Sequence, residues 1–89
     1  MNKKRRQQLK AWKQRAEQWA QQGEEIKDEL KSICAEEEEC FDMMPEGLQG
    51  SANGMNSEEA IDKMNEAAEC LDEAMECITN ATDCIEEII

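Results

Sequence analysis

From Ile61 to the last residue, an apolar or small side chain recurs at alternating steps of three and four: Ile61, Met64, Ala68, Leu71, Met75, Ile78, Thr82, Ile85 and Ile89. A strand shows one face every second residue, so this spacing belongs to an α-helix. Beside the seam runs a second row at spacing seven, Ala60, Ala67, Ala74, Ala81 and Ile88, and next to it Cys70, Cys77 and Cys84. At 100° per residue the rows form an apolar arc about 160° wide. The other side holds Asp62, Glu66, Glu69, Asp72, Glu73, Glu76, Asp83, Glu86 and Glu87. One partner helix needs only a narrow seam, whereas so wide an arc suits two, as in a bundle.

The first half follows the same rule through Leu9, Trp12, Ala16, Trp19, Gly23, Ile26, Leu30, Ile33, Glu37, Cys40 and Met44. Gly23 costs the helix about 1 kcal/mol relative to Ala and marks a bend or a close helix approach. Glu37, an acid in the seam, marks a local opening or a polar register device. Residue types agree with spacing: Val and Tyr are absent, Phe and Pro occur once each, and strands have little to be built from. Pro45 stops the first helix by pushing Met44 out of the helical region. Gly and Asn keep 45–56 irregular, and Asn56 or Ser57 is the expected N-cap of the second helix.

The expected fold is therefore all-α: an antiparallel helical hairpin or coiled coil, with two copies dimerising into a four-helix bundle. The chain reads as one helical domain, 1–89. Residues 1–22 form the basic part of helix 1, 23–44 its remainder, 45–56 a loop and 57–89 the acidic helix 2. Folding back places residue i opposite a residue near 101 − i, with residues 1–11 overhanging. Leu48 and Met55 are apolar residues in the loop, flanked by Phe41 and Met43. They either cap the open end of the bundle, the reading slightly favoured, or contact a partner.

Charge is divided unevenly. Residues 1–22 carry seven basic side chains against Glu17, a balance of +6, and residues 23–89 carry 21 acids against three Lys, a balance of −18; together they give the net −12. The acidic part repels nucleic acid and anionic lipid and attracts basic surfaces, including those built to hold nucleic acid. Direct nucleic-acid binding is accordingly disfavoured. The basic start is followed by no apolar signal core, and no stretch is long enough to span a bilayer, so the expected location is the cytoplasm.

Catalysis lacks parts. There is no His to serve as a base for a Cys nucleophile, and no phosphate-cradling Gly pattern. No enzyme activity, metal or cofactor is expected. Cys70, Cys77 and Cys84 step about 10.5 Å along the axis, too far apart to share one metal ion, and core packing is their favoured reading. A di-metal carboxylate bundle wants inward acids and Glu-x-x-His pairs, and here the acids face away from the seam.

Two surfaces remain as partner-binding candidates. One is the acidic face: Asp62, Glu66, Glu69, Asp72, Glu73, Glu76 and Asp83. Carboxylates at i, i+4 and i+7 step by about 5–6 Å, a rough match to phosphates spaced about 3.4 Å along a DNA strand; the plain alternative is a solvated face. The other comprises Leu48, Met55, Trp12, Arg5 and Arg6. The basic arm can meet phosphates, an anionic membrane surface, or acids of its own chain or a partner. Trp19 is assigned to the core, and Trp12, near the helix end, is the better exposed anchor.

The run Glu36-Glu37-Glu38-Glu39-Cys40-Phe41-Asp42-Met43-Met44-Pro45-Glu46-Gly47-Leu48-Gln49-Gly50-Ser51, followed by Ala60 to Leu71, resembles a group of short acidic proteins of phages, prophages and mobile elements of gut Firmicutes. In that group an acidic helix leads through an aromatic-Asp-x-x-Pro-Glu-x-Leu-Gln turn to a second Glu/Ala-rich helix. The likeness covers about residues 24–80; the turn is fairly specific and the helices are low in complexity. The basic, Trp-containing start and the Cys rows depart from it. The group's setting and acidity are similar to those of small anti-defence proteins, anti-CRISPR inhibitors among them. The resemblance thus implies a protein-binding inhibitor or modulator that docks on a basic, nucleic-acid-handling surface of a host protein. The alternatives are a structural coiled-coil assembly module of a phage and a nucleic-acid binder using the basic arm.

Overall fold

The structure, a computed structural model, describes residues 1–89. It is all-α: α1 spans Lys3–Asp42, α2 Glu46–Gln49 and α3 Ala52–Glu86. The molecule is a rod measuring 68 × 15 × 14 Å, which is the length expected of a straight 40-residue helix, about 60 Å, plus its end. α1 begins at Asn2, whose side chain accepts from the Arg5 backbone N–H at 2.8 Å, satisfying one of the helix's orphan donors. Its last turn, before Pro45, is held by Gln49, whose side-chain amide donates to the carbonyls of Phe41 (3.1 Å) and Met44 (3.2 Å).

The connection is more regular than its Gly and Asn content suggests. One turn of helix, α2, follows Pro45, and α3 starts five residues before Ser57, with Ser51 rather than Asn56 or Ser57 as its N-cap. Gly54 permits this. A Cβ there would run into the Gln49 carbonyl, so the α2–α3 corner closes only around a residue without one. Ser57 is instead buried in α3 and donates to Glu37 Oε1 at 2.5 Å. Glu37 thus sits in the seam as a polar link between the long helices.

α1 and α3 lie side by side with opposed chain directions. Lys13 Nζ is 3.3 Å from Glu86 Oε1, Lys27 Nζ is 2.7 Å from Asp72 Oδ1, and Cys34 Sγ is 3.5 Å from Asn65 Oδ1. These pairs place residue i opposite 99 − i, two residues tighter than the expected register, because α2 shortens the turn.

The α3 seam is the one its spacing predicts: each of the nine residues from Ile61 to Ile89 at steps of three and four is buried or half-buried. The α1 seam is not. The side chains that turn inward there are Leu9, Lys13, Ala16, Ala20, Gly23, Lys27, Leu30, Cys34, Glu37, Phe41 and Met44. This stripe keeps every fourth-then-third step but replaces Trp12, Trp19, Ile26, Ile33 and Cys40 with their next neighbours, a rotation of about 50°. Trp12 (40% exposed), Trp19 (49%), Ile26 (57%) and Ile33 (50%) are left facing outward. The reason is close approach. A Cβ on Gly23 would stand 2.6 Å from Met75 Sδ, and Ala16 and Ala20 line the same stripe. Helices this near each other have no space for indole rings between them.

Candidate interaction surfaces

Charge and apolarity divide between opposite sides of the rod. On one side the seam is flanked by ion pairs. Lys27 reaches both Asp72 (2.7 Å) and Glu24 (2.9 Å), and Lys13 reaches both Glu86 (3.3 Å) and Glu17 (3.6 Å). The hydrogen bond to Asp72 is the main cause holding the Lys27 ammonium above its ordinary pKa, and the same bond holds the Asp72 carboxyl below the usual carboxylate range. Lys13 is likewise raised, chiefly by its bond to Glu86. Two Lys stems thus lie along the seam while their charged heads clasp the neighbouring helix.

All seven acids of the candidate acidic face, Asp62, Glu66, Glu69, Asp72, Glu73, Glu76 and Asp83, are exposed. They are not equivalent. Asp72 belongs to the α1–α3 clasp, and Glu66 pairs with Lys63 at 3.4 Å. The other five have no ion-pair partner within the chain. Asp62, Glu69, Glu76 and Asp83 form a single row at spacing seven, about 32 Å long.

On the opposite side lies an apolar face. Trp19 and Ile26 of α1 and Leu71, Ala74 and Met75 of α3 line a cavity of about 120 Å³ over Gly23. Trp12 and Trp19 flank a second depression with Ala16 and Ile78. Trp12 is exposed, as expected of an anchor near the helix end, but the assignment of Trp19 to the core is corrected: its ring also stands on the outer face and is the more exposed of the two. Ala60 and Ala67 are exposed, and Ala74 and Ala81 half-covered. Cys70, Cys77 and Cys84 are also exposed rather than packed inside. Cys34 is the buried thiol, and burial, with Glu38 nearby, pushes its pKa up.

The loop residues separate by role. Leu48 is 55% exposed and Met55 62%, so neither caps the core; Phe41 and Met44, both half-buried, close that end. Arg5 and Arg6 are exposed on the first turns of α1, without an acidic partner. The inward role of Lys13 and Lys27 is not evident from the apolar periodicity, although Asp72 and Glu86, each spaced to reach one of them across an antiparallel pair, were the available signal. No helix is long and apolar enough to cross a membrane.

No protein-family model matches the chain, and no curated protein or solved structure matches it.

Proposed function

We propose that this protein is a binding module, encoded by a mobile element, that inhibits or modulates a host protein by laying its acidic side on a basic, nucleic-acid-handling surface. The observation that supports the reading is the row Asp62, Glu69, Glu76 and Asp83, with Glu73 beside it. These are exposed carboxylates without an intramolecular counter-ion, on a rod whose residues 23–89 carry a balance of −18. Unpaired charge of one sign held on a rigid helix steers association toward the opposite sign and selects against like-charged partners. A helix holds the row in place without loop ordering, which keeps the entropic cost of docking low. The architecture belongs to the same reading: an antiparallel helical hairpin of coiled-coil type, with two copies forming a four-helix bundle.

The test is affinity capture from a bacterial host lysate with the tagged chain, followed by titration of the captured complex with salt. A basic partner whose affinity falls steeply from low to high ionic strength is the expected result. Retrieval of no partner, or of one indifferent to salt, overturns the reading. A second reading, a structural module assembling through its helices, is favoured by the exposed rings of Trp12 and Trp19, which an acidic-surface mechanism leaves unused.

A further inference from the structure

The apolar side of the rod is long, continuous and unpaired, and the rod's two ends differ in charge. Residues 1–15 carry seven basic side chains and no acid, whereas residues 36–62, at the loop end, carry nine acids and no base. From the basic end toward the loop end, Trp12, Trp19, Ile26 and Ile33 form a row at spacing seven on α1, alongside the Ala67, Ala74 and Ala81 row of α3.

We propose that a second copy of the chain covers this face in an antiparallel sense, so that the basic end of each copy lies against the acidic loop end of the other. The inference rests on the bundle reading above and adds its orientation, its contact face and its registry. A two-fold axis across the rods brings α1 against the partner's α1 and α3 against the partner's α3, each pair antiparallel. Trp19 then meets the partner's Ile26, and Trp12 the partner's Ile33, pairing a ring with an aliphatic side chain instead of ring with ring. Across α3 the Ala rows face each other and permit close contact. The cavity over Gly23 falls beside the two-fold axis, where the partner's side chains can fill it.

Charge decides between the two ways of stacking the rods. The parallel alternative sets seven positive charges beside seven and nine negative beside nine. The antiparallel arrangement sets seven positive against nine negative at both ends. Within one chain α3 supplies the basic end with one ion pair, Glu86 to Lys13. The size is also adequate. The apolar strip runs about 40 Å along α3 and the rod is 15 Å across. That gives roughly 600 Å² per copy and 1,200 Å² for the pair, the lower edge of stable interfaces.

Zero-length carbodiimide cross-linking of a mixture of ¹⁴N and ¹⁵N chains tests this, with light scattering on the same sample. Lys10 and Glu36 are about 39 Å apart along one helix, so a link between Lys10 and Glu36–Glu39 can form only between copies. Particles of twice the 10.2 kDa chain mass, with mixed-isotope links from Lys3, Lys4 or Lys10 to Glu36–Glu39, are the expected result. A dimer whose mixed-isotope links join Lys10 to Glu86 or Glu87 keeps the bundle but overturns the orientation. A monomer at tens of micromolar overturns both. Ile26→Glu, at an exposed site that folding of the single chain does not bury, is expected to retain helical circular dichroism and weaken dimerisation at least tenfold, about the loss usual for a central interface anchor. Unchanged dimerisation in that variant shows that the face lies elsewhere.

Discussion

Gly23 interrupts a good helical stretch and Gly54 falls in a segment whose Gly and Asn content reads as a loop, yet both lie inside long helices, where they act differently. At Gly54 an added methyl would strike the backbone carbonyl of Gln49, which cannot yield without opening the α2–α3 corner. At Gly23 the obstacle is the sulfur of Met75, 2.6 Å from where the methyl would sit, and a Met side chain can move. Two terms therefore compete in Gly23→Ala: about 1 kcal/mol gained in helix propensity and a similar cost for displacing Met75. The net change in unfolding free energy is expected to be below about 1 kcal/mol. In a Met75→Ala background the obstacle is gone, and the same substitution is expected to stabilise by about 1 kcal/mol. Urea unfolding at fixed protein concentration measures both, and equal effects in the two backgrounds would show that Met75 does not set the helix spacing there.

Along each helix, the ion pairs and the connection give further tests. Lys27 and Asp72 tie α1 to α3, and the depressed pKa of Asp72 makes that tie dependent on pH. A carboxyl whose folded pKa lies below its unfolded value stabilises the fold above the unfolded value, and the contribution is lost as the pH falls through the folded one. The melting-temperature advantage of the wild-type chain over Asp72→Asn should thus be full at neutral pH and vanish at acidic pH, below the usual carboxylate range. Melting by circular dichroism across that range checks it; a constant difference would place the Asp72 effect outside its ion pair. At the turn, Leu48 is more than half exposed, so Leu48→Ser should leave stability within about 0.5 kcal/mol of wild type. A larger loss would mean that Leu48 is covered in solution. The seam of α3 was legible because its apolar steps, its Ala row and its acids all agree on one inward direction. That of α1 was not, because Trp12-Trp19-Ile26-Ile33 and Lys13-Ala20-Lys27-Cys34 are adjacent rows of equal period. Hydrophobicity alone favours the first. Closeness of approach, set by Ala16, Ala20 and Gly23, selects the second, and small size is a weak signal beside two indoles. The start of α3 was misplaced for a related reason: Ser51 and Ser57 are both chemically able to cap, and only the Gly54 contact with Gln49 distinguishes them.

For the whole rod, the balance of charge sets stability and association together. The exposed row Asp62, Glu69, Glu76 and Asp83 has no ion-pair partner in the chain, so within one chain it contributes mainly repulsion. Self-repulsion of this kind weakens the compact state at low ionic strength and is screened as salt rises. Neutralising the row as Asp62→Asn, Glu69→Gln, Glu76→Gln and Asp83→Asn removes four negative charges and takes the net charge from −12 to −8. The variant is expected to melt higher than wild type in dilute buffer, with the gap closing in concentrated salt. If these acids instead held the fold together, the variant would melt lower at every salt concentration, since removing one partner leaves the other unsatisfied. Partner binding should move in the opposite direction to stability. A surface that uses these carboxylates loses both affinity and salt dependence in the variant, whereas a surface that uses the apolar face keeps both. Measured side by side on one variant, melting and binding therefore separate three roles for the row. Higher melting with weaker, salt-insensitive binding assigns it to the partner. Higher melting with unchanged binding leaves it as solvated surface, and lower melting makes it part of the fold.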